Sequence, residues 1–378
     1  MPGMAGGASD PAFAVTRAQL VAVSLLTVLA LVAGSVYSVS VANLTVRARD
    51  VSGVVMPPGM PMRRDLSGAS MRDMAAVDLR ALINQAAPDA QGDRLLEARI
   101  EAGVKVYELE AAVTGWNILP AVRVAAFAFN GQVPGPRIRL TEGDRVRFIV
   151  RNSLPEPTSV HWHGLIVPNG MDGPAGITQP AIPPGGTFTY EFDVKQAGTF
   201  FYHSHAQADR QEALGLYGAL IVDPKNPPPA AYDQELVVQL QEWLFKNGYT
   251  FPAMPMDGMQ PNFFTINGKA FPATQTVHMR LGERLLVRFI GTNSGFIHPM
   301  HIHGGPFTIV ATDGVTVPES ARISKDTVNV GPGERYDVIW QARERGRWLL
   351  HCHINHHTTN DNQEDAGGGG LTLIIEVD

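Results

Sequence analysis

Residues 130–164 read NGQVPGPRIRLTEGDRVRFIVRNSLPEPTSVHWHG, and residues 267–304 read NGKAFPATQTVHMRLGERLLVRFIGTNSGFIHPMHIHG. The two stretches follow one plan. Each opens on an asparagine–glycine pair, crosses prolines, runs through an alternating segment and closes on His-x-His-Gly. Alternation such as Arg145-Val146-Arg147-Phe148-Ile149-Val150 has the period of a half-buried strand, and Asn-Gly marks a turn. The plan continues with PPGGTFTYEFDV before His-Ser-His in the first copy and GPGERYDVIW before His-Cys-His in the second. From His161 to His301 the offset is 140 residues. A repeat of that size, with several short strands between Gly/Pro turns, predicts an all-β chain of two tandem Greek-key β-sandwiches. DPKNPPP, residues 223–229, reads as a stiff join between them. The expected units are therefore 101–224 and 225–378.

Composition agrees and excludes other classes. The chain has 378 residues, a formal net charge of −6, 38 Gly, 28 Pro and a single Cys. No clustered Lys/Arg excess offers a footprint for nucleic acid. One cysteine rules out an intrachain disulfide framework, so packing or metal must stabilise the fold.

Upstream of the repeat, residues 20–42 read LVAVSLLTVLALVAGSVYSVSVA without a charge. As a helix this run would span roughly 34 Å, enough for a hydrocarbon core of about 30 Å. Residues 1–45 are expected to form a tail and membrane anchor. Ser40 and Ala42 would also suit a signal-peptide cleavage site, although the run exceeds the usual apolar region of one. Arg47 and Arg49 after the segment would weakly place the C-terminal side in the cytoplasm; the metal chemistry below argues for the outer face. Residues 46–100 read as a Met/Pro linker, with Met56, Met60, Met62, Met71 and Met74. A second cluster holds Met254, Met256 and Met259. Thioethers are soft ligands for cuprous copper, but methionines also serve as apolar filler.

Ten of the 12 histidines fall into four clusters: His161/His163, His203/His205, His298/His301/His303 and His351/His353/His357. His278 and His356 stand apart. On a strand, residues i and i+2 share a face, so each His-x-His aims two imidazoles one way. Eight such imidazoles are too many for one tetrahedral ion and suit a cluster of two or three ions, with copper, zinc, iron and nickel all possible. Cys352, between His351 and His353, must project to the opposite face. His298 would share that face, and His357 could return to it through the following loop. One thiolate with two imidazoles is the ligand set of a blue-copper electron-transfer site.

HWHGLIVPNGMDGPAGITQPAIPPG, YHSH, HPMHIHG and HCHINHH together resemble the four copper signatures of the multicopper oxidases, laccase-like proteins of cupredoxin fold. The resemblance covers about residues 100–378. It implies that His298, Cys352 and His357 hold a type 1 copper, with Leu371 as the axial neighbour displaced by the insertion TTNDNQEDAGGGG; Asn362 stands at the family's usual axial spacing. It further implies that His161 and His301 hold a type 2 copper, and that His163, His203, His205, His303, His351 and His353 hold a type 3 pair. The cofactor is then four coppers per functional unit. Asp172 matches the family's acidic residue that helps deliver protons to dioxygen. Two units with the cysteine only in the second resemble the small two-domain laccases, which implies a homotrimer with the three-copper cluster shared between subunits.

The expected activity is one-electron oxidation of a phenol or of a metal ion such as Cu(I), Fe(II) or Mn(II), coupled to reduction of dioxygen to water. The expected location is the outer face of a membrane, held by the N-terminal helix. Two other readings remain: a copper-storage or electron-transfer protein, and a copper nitrite reductase. The latter needs its cysteine in the first unit, where Ser204 stands.

Overall fold

Strands form where the alternation predicts them, and their pairing repeats. The computed structural model describes residues 16–42, 75–78, 84–229, 231–254, 259–293, 295–364 and 367–378. In the first unit, Val104–Leu119 runs parallel to Arg145–Asn152 and antiparallel to Val122–Phe129, and Arg145–Asn152 pairs antiparallel with Thr187–Asp193. The facing sheet has the order Ile138–Thr141, Tyr217–Asp223, Gly198–His203, His161–His163. The second unit copies this, parallel pairs included. Gln234–Lys246 runs parallel to Arg284–Ile290, which pairs with Arg335–Gln341. Its facing sheet has the order Val277–Met279, Thr372–Val377, Gly346–Cys352, His298–Ile302, Thr327–Val330, the last strand having no counterpart in the first unit's facing sheet. The chain is thus mostly β, with each apolar core between two sheets.

Alternation places the cores. Arg145–Asn152 turns Val146, Phe148 and Val150 inward, all fully buried, and Arg145 and Arg151 outward. From the other sheet Trp162, between His161 and His163, drops its indole onto Phe148 at 4.2 Å and Tyr190 at 5.3 Å. Truncating so buried a Trp to Ala costs about 3–5 kcal/mol. The His-x-His pair that comes first in each unit is followed by a glycine in the left-handed region, Gly164 at φ +86° and Gly304 at φ +84°. A Cβ at Gly164 would come within 2.5 Å of the Arg335 guanidinium, so the turn requires glycine there.

Ion pairs weld the two units. Arg139 of the first bonds Glu235 of the second at 2.6 Å, and Glu235 also bonds Arg288 at 2.6 Å. Arg288 reaches Asp337 at 2.6 Å and the Thr199 hydroxyl of the first unit at 2.7 Å. The described end of the linker is strapped across both units. Val77–Asp78 pairs with Tyr249–Phe251 of the second, Asn84–Gln85 pairs with Val104–Leu119 of the first, and the buried Arg210 donates to the Ala75 carbonyl. Asp93 pairs with Arg137 at 2.9 Å and accepts from Gln239 at 3.1 Å.

The helix Arg17–Ala42 is long and apolar enough to cross a membrane, with mean hydropathy 2.0 over Arg17–Ser35 and none of that stretch buried. Met56, Met60, Met62, Met71, Met74 and Met256 lie outside the described residues.

Candidate metal centres

The second unit converts a strand pair into a buried three-donor pocket. His298–Ile302 and Gly346–Cys352 are antiparallel neighbours, with Met300 opposite Cys352 and His301 opposite His351. Residues His298, Met300 and Ile302 face the core while Pro299 and His301 face out. Cys352 is fully buried and His351 is half-exposed. The Cys352 Sγ lies 3.9 Å from His298 Nδ1 and 3.6 Å from His357 Nδ1, and the two nitrogens are 3.1 Å apart. His357 arrives on a short 3-10 turn, Asn355–Thr358, and stacks on Phe264 at 4.3 Å. Leu371 is held beside them by its backbone: its carbonyl accepts from Cys352 N–H and its N–H donates to the His357 carbonyl. Asn362 is exposed in a turn at φ +63°.

Burial governs the protonation of these groups. It pushes the Cys352 thiol up to about 12, with the Glu242 charge adding to the effect, so the bare thiol keeps its proton until a metal displaces it. Burial also pushes His357 down to about 3, which leaves its imidazole neutral with a lone pair available. A soft thiolate with two neutral imidazoles, all donor atoms within 4.8 Å of one another, fits copper.

The eight remaining imidazoles form two separate sets on the opposite faces of their strands. In the first unit His161 lies at centroid distances of 5.5, 5.4 and 5.5 Å from His163, His203 and His205. In the second, His301 lies 4.9, 5.7 and 5.7 Å from His303, His351 and His353. Among the described residues, ring contacts join histidines within each set and none joins the two sets. Both sets reach the surface, with His205 and His353 exposed.

Backbone acceptors aim the rings alike in both sets. His161 Nδ1–H donates to the Asp172 carbonyl at 2.6 Å, and His301 Nδ1–H to the Asp326 carbonyl at 2.7 Å. His203 and His351 each donate Nδ1–H at 2.9 Å to the carbonyl of the residue that follows, Ser204 or Cys352. All four therefore present Nε2 lone pairs. His163 Nδ1 meets His203 Nε2 at 3.3 Å, and His303 Nε2 meets His351 Nε2 at 3.0 Å. Burial pushes His163 down to about 3, the Arg335 charge adding to it, and burial lowers His161, His203, His303 and His351 as well. The Asp172 carboxylate stands 3.5 Å from His161 Nδ1.

Three buried side chains beside these centres carry no motif. Glu242 accepts from His298 Nε2 at 3.1 Å, Asn293 donates to the same carboxylate oxygen at 3.0 Å, and Glu212 lies 3.3 Å from His203 Nδ1. Burial and the Glu242 charge push the Glu212 carboxyl well above its usual range.

The sequence pattern of the multicopper oxidases matches residues 111–227 and again residues 250–362. The blue copper oxidase of Nitrosomonas europaea has a similar structure, with a TM-score of 0.64 and 35% identity, over 72% of this chain and 85% of that one. The chain belongs to the multicopper oxidase family. This member is also similar to copper resistance protein A of Escherichia coli, 33% identical over 280 residues, which are 62% of this chain and 45% of that protein. A laccase of Cryptococcus neoformans var. grubii is 34% identical over 252 residues, 58% of this chain and 41% of that protein. The chain thus spans half or less of the length of these curated relatives, and copper is the cofactor of the family.

Proposed function

We propose that this multicopper oxidase takes single electrons from a reductant at a mononuclear copper held by His298, Cys352 and His357, and passes them to a three-copper cluster held by the eight paired histidines. One observation carries the reading: Cys352 buries its sulfur in the mononuclear pocket while its two peptide neighbours, His351 and His353, belong to the set behind the strand. When bound, four coppers would supply one-electron redox chemistry at the thiolate and four-electron reduction of dioxygen to two waters at the histidines. The chain's own part is to fix the donors, exclude water from the thiolate and bring protons. Leu371, tied by its backbone to Cys352 and His357, would be a further neighbour of the copper and has no thioether to offer. Asp172, whose carbonyl aims His161 and whose carboxylate lies 3.5 Å from its Nδ1, is the proton donor.

The division of the eight histidines supports assembly between copies. The second-unit set opens onto a cavity of about 610 Å³ lined by His301, His303, Ser324 and Asp326. Three copies in a closed head-to-tail ring, each bringing its first-unit histidines to a neighbour's second-unit set, would complete three clusters. We take 101–224 and 225–378 as the two working units, anchored on the outer face of a membrane by the N-terminal helix.

The reductant is a phenol or a low-valent metal ion; the methionine clusters and the likeness to copper resistance protein A favour cuprous ion. Deleting residues 54–74 should then lower cuprous oxidation while sparing phenols. An equal loss on both would remove that preference.

The first test is the absorption spectrum of the copper-loaded chain. An intense blue band with a near-ultraviolet shoulder is expected, from the thiolate copper and a bridged pair. A blue band without the shoulder would leave an electron-transfer protein, and no colour would overturn the reading.

A further inference from the structure

Arg335 crosses from the second unit to the histidine set of the first. Among the described residues three arginines are buried: Arg210, Arg288 and Arg335. A charge taken out of water is costly unless something compensates it. Arg210 has Glu156 at 3.0 Å, and Arg288 has Glu235 and Asp337 at 2.6 Å each. Arg335, 4% exposed, has only Asp313 among the described residues, at 3.6 Å and itself 58% exposed. Its other bonds run to the first unit and to its own turn. Nε donates to the Thr199 carbonyl at 3.3 Å, on the strand Gly198–His203, and Nη1 donates to the Gly333 carbonyl at 2.6 Å. Nη2 lies against Gly164, the residue after His163, so closely that a Cβ there would come within 2.5 Å. A Cβ at Gly333 would in turn come within 3.1 Å of the His163 ring. Each unit thus keeps a glycine where the other unit's side chain enters.

The repeat shows that this contact is specific to one turn. The turn before Arg335 matches the turn before Thr187: Gly333 N–H donates to the Gly291 carbonyl as Gly185 N–H donates to that of Asn152. In the first unit the position of Arg335 is taken by Thr187, which is exposed, and a Cβ at Gly185 would meet nothing within 4 Å. Of the two turns, the one set against a histidine carries the buried cation. The strand that leads into it, Thr327–Val330, pairs with His298–Ile302, so the second unit's histidine strand fixes where the turn stands. A guanidinium keeps its charge at every working pH and presents its donors in a rigid fork. Held out of water and balanced by one solvent-facing carboxylate, that charge favours negative charge at the histidines beside it.

We infer that Arg335 is a positioning residue of the first-unit metal centre: it clamps His163 against the strand of His203 and supplies a fixed positive charge that draws anions to the metal bound there. The inference rests on the copper reading of the eight paired histidines. Azide is the probe, a small anion that gives cupric ions a new absorption on binding; the mononuclear donors His298, Cys352 and His357 are buried away from it. Arg335→Gln keeps an amide donor and loses the charge, so azide should bind about tenfold more weakly to a chain with normal copper content. Arg335→Lys keeps the charge and should stay within about threefold of the wild type. A role in packing alone would lower the melting temperature of both variants and change azide affinity in neither.

The experiment is an azide titration of the copper-loaded full chain and these variants. A wild type without an azide-dependent band overturns the copper reading of the histidines and this inference together. Unchanged affinity in a copper-replete Arg335→Gln chain overturns this inference alone, and so does an Arg335→Lys chain as weak as Arg335→Gln. Should Arg335→Gln not fold, Asp313→Asn decides. It removes the countercharge at an exposed position and keeps an acceptor for the Arg335 backbone N–H. Azide should then bind about twofold more tightly. Unchanged or weaker binding in Asp313→Asn would sink the role of Arg335.

Discussion

The two units share a frame and differ in three side chains at one place. In the second unit the space behind the histidine strands holds His298, Cys352 and His357. At the matching position the first unit holds Thr158, three residues before His161, and Ser204, between His203 and His205. Gln211 completes that trio. Its Oε1 accepts from Ser204 at 2.5 Å and from Thr158 at 2.8 Å, and the two hydroxyls lie 3.3 Å apart. The first trio satisfies its polar atoms among themselves and with Glu156 and the Pro157 carbonyl, to which the Gln211 amide donates; the second leaves three donors converging without enough protons to share, the arrangement a metal would complete. The sandwich tolerates either, because the sheets around the trio are set by alternation elsewhere. One frame thus yields a hydrogen-bonded plug or a candidate metal pocket according to three residues.

The comparison can be broken most severely at the sulfur. Cys352→Ser makes the second trio resemble the first, and should abolish the blue band and oxygen uptake while leaving a folded protein by circular dichroism. A surviving blue band would mean that the sulfur is not a donor. Next in size is the separation of the two histidine sets. His203→Ala and His351→Ala chains should each be inactive alone, and on co-assembly about a quarter of the clusters should combine two intact halves. Zero recovery would show that each cluster forms within one chain. Asp172→Asn should slow oxygen turnover by about a hundredfold with normal copper content; full turnover would remove its proton role.

A smaller effect concerns the strap that holds both units. Burial pushes Asp93 up to about 7 from 3.8, against the opposing charge of Arg137. The folded chain then keeps a proton that the unfolded chain releases above 3.8. That stabilisation is complete below 3.8 and is lost as pH rises through about 7. At 1.36 kcal/mol per unit the loss amounts to about 4 kcal/mol. Melting temperature should fall over this range in the wild type and stay flatter in Asp93→Asn; parallel slopes would count against it. Smallest of all, Ser204→Cys should add no blue band, since Thr158 and Gln211 offer no imidazole. A new blue band there would show that the cysteine alone defines the pocket.

Much of this was legible in the sequence. The His-x-His spacing placed eight imidazoles on one face of their strands and Cys352 on the other, and the copied turns between Asn130 and Asn267 indicated the repeated sandwich. His298 was readable because its strand is regular, and His357 because the chain turns directly after His353. Glu242, Glu212 and Asn293 were not readable. Glu242 follows Gln239 and Gln241 as one more polar residue on its strand, and nothing near it in sequence marks its partner. Gln211 was equally silent, since only the fold brings it under Ser204.

The division follows from the range of the forces involved. Alternation, turn chemistry and donor type act over a few residues, so the sequence by itself determined the strands, their faces and the candidate ligands. Strand register and the docking of one sheet on another depend on residues far apart in the chain. Only the tertiary structure could therefore decide that Glu242 sits behind His298, that the linker straps both units, and that the two histidine sets stay apart. Each of those outcomes depends on burial, which no local stretch of sequence contains.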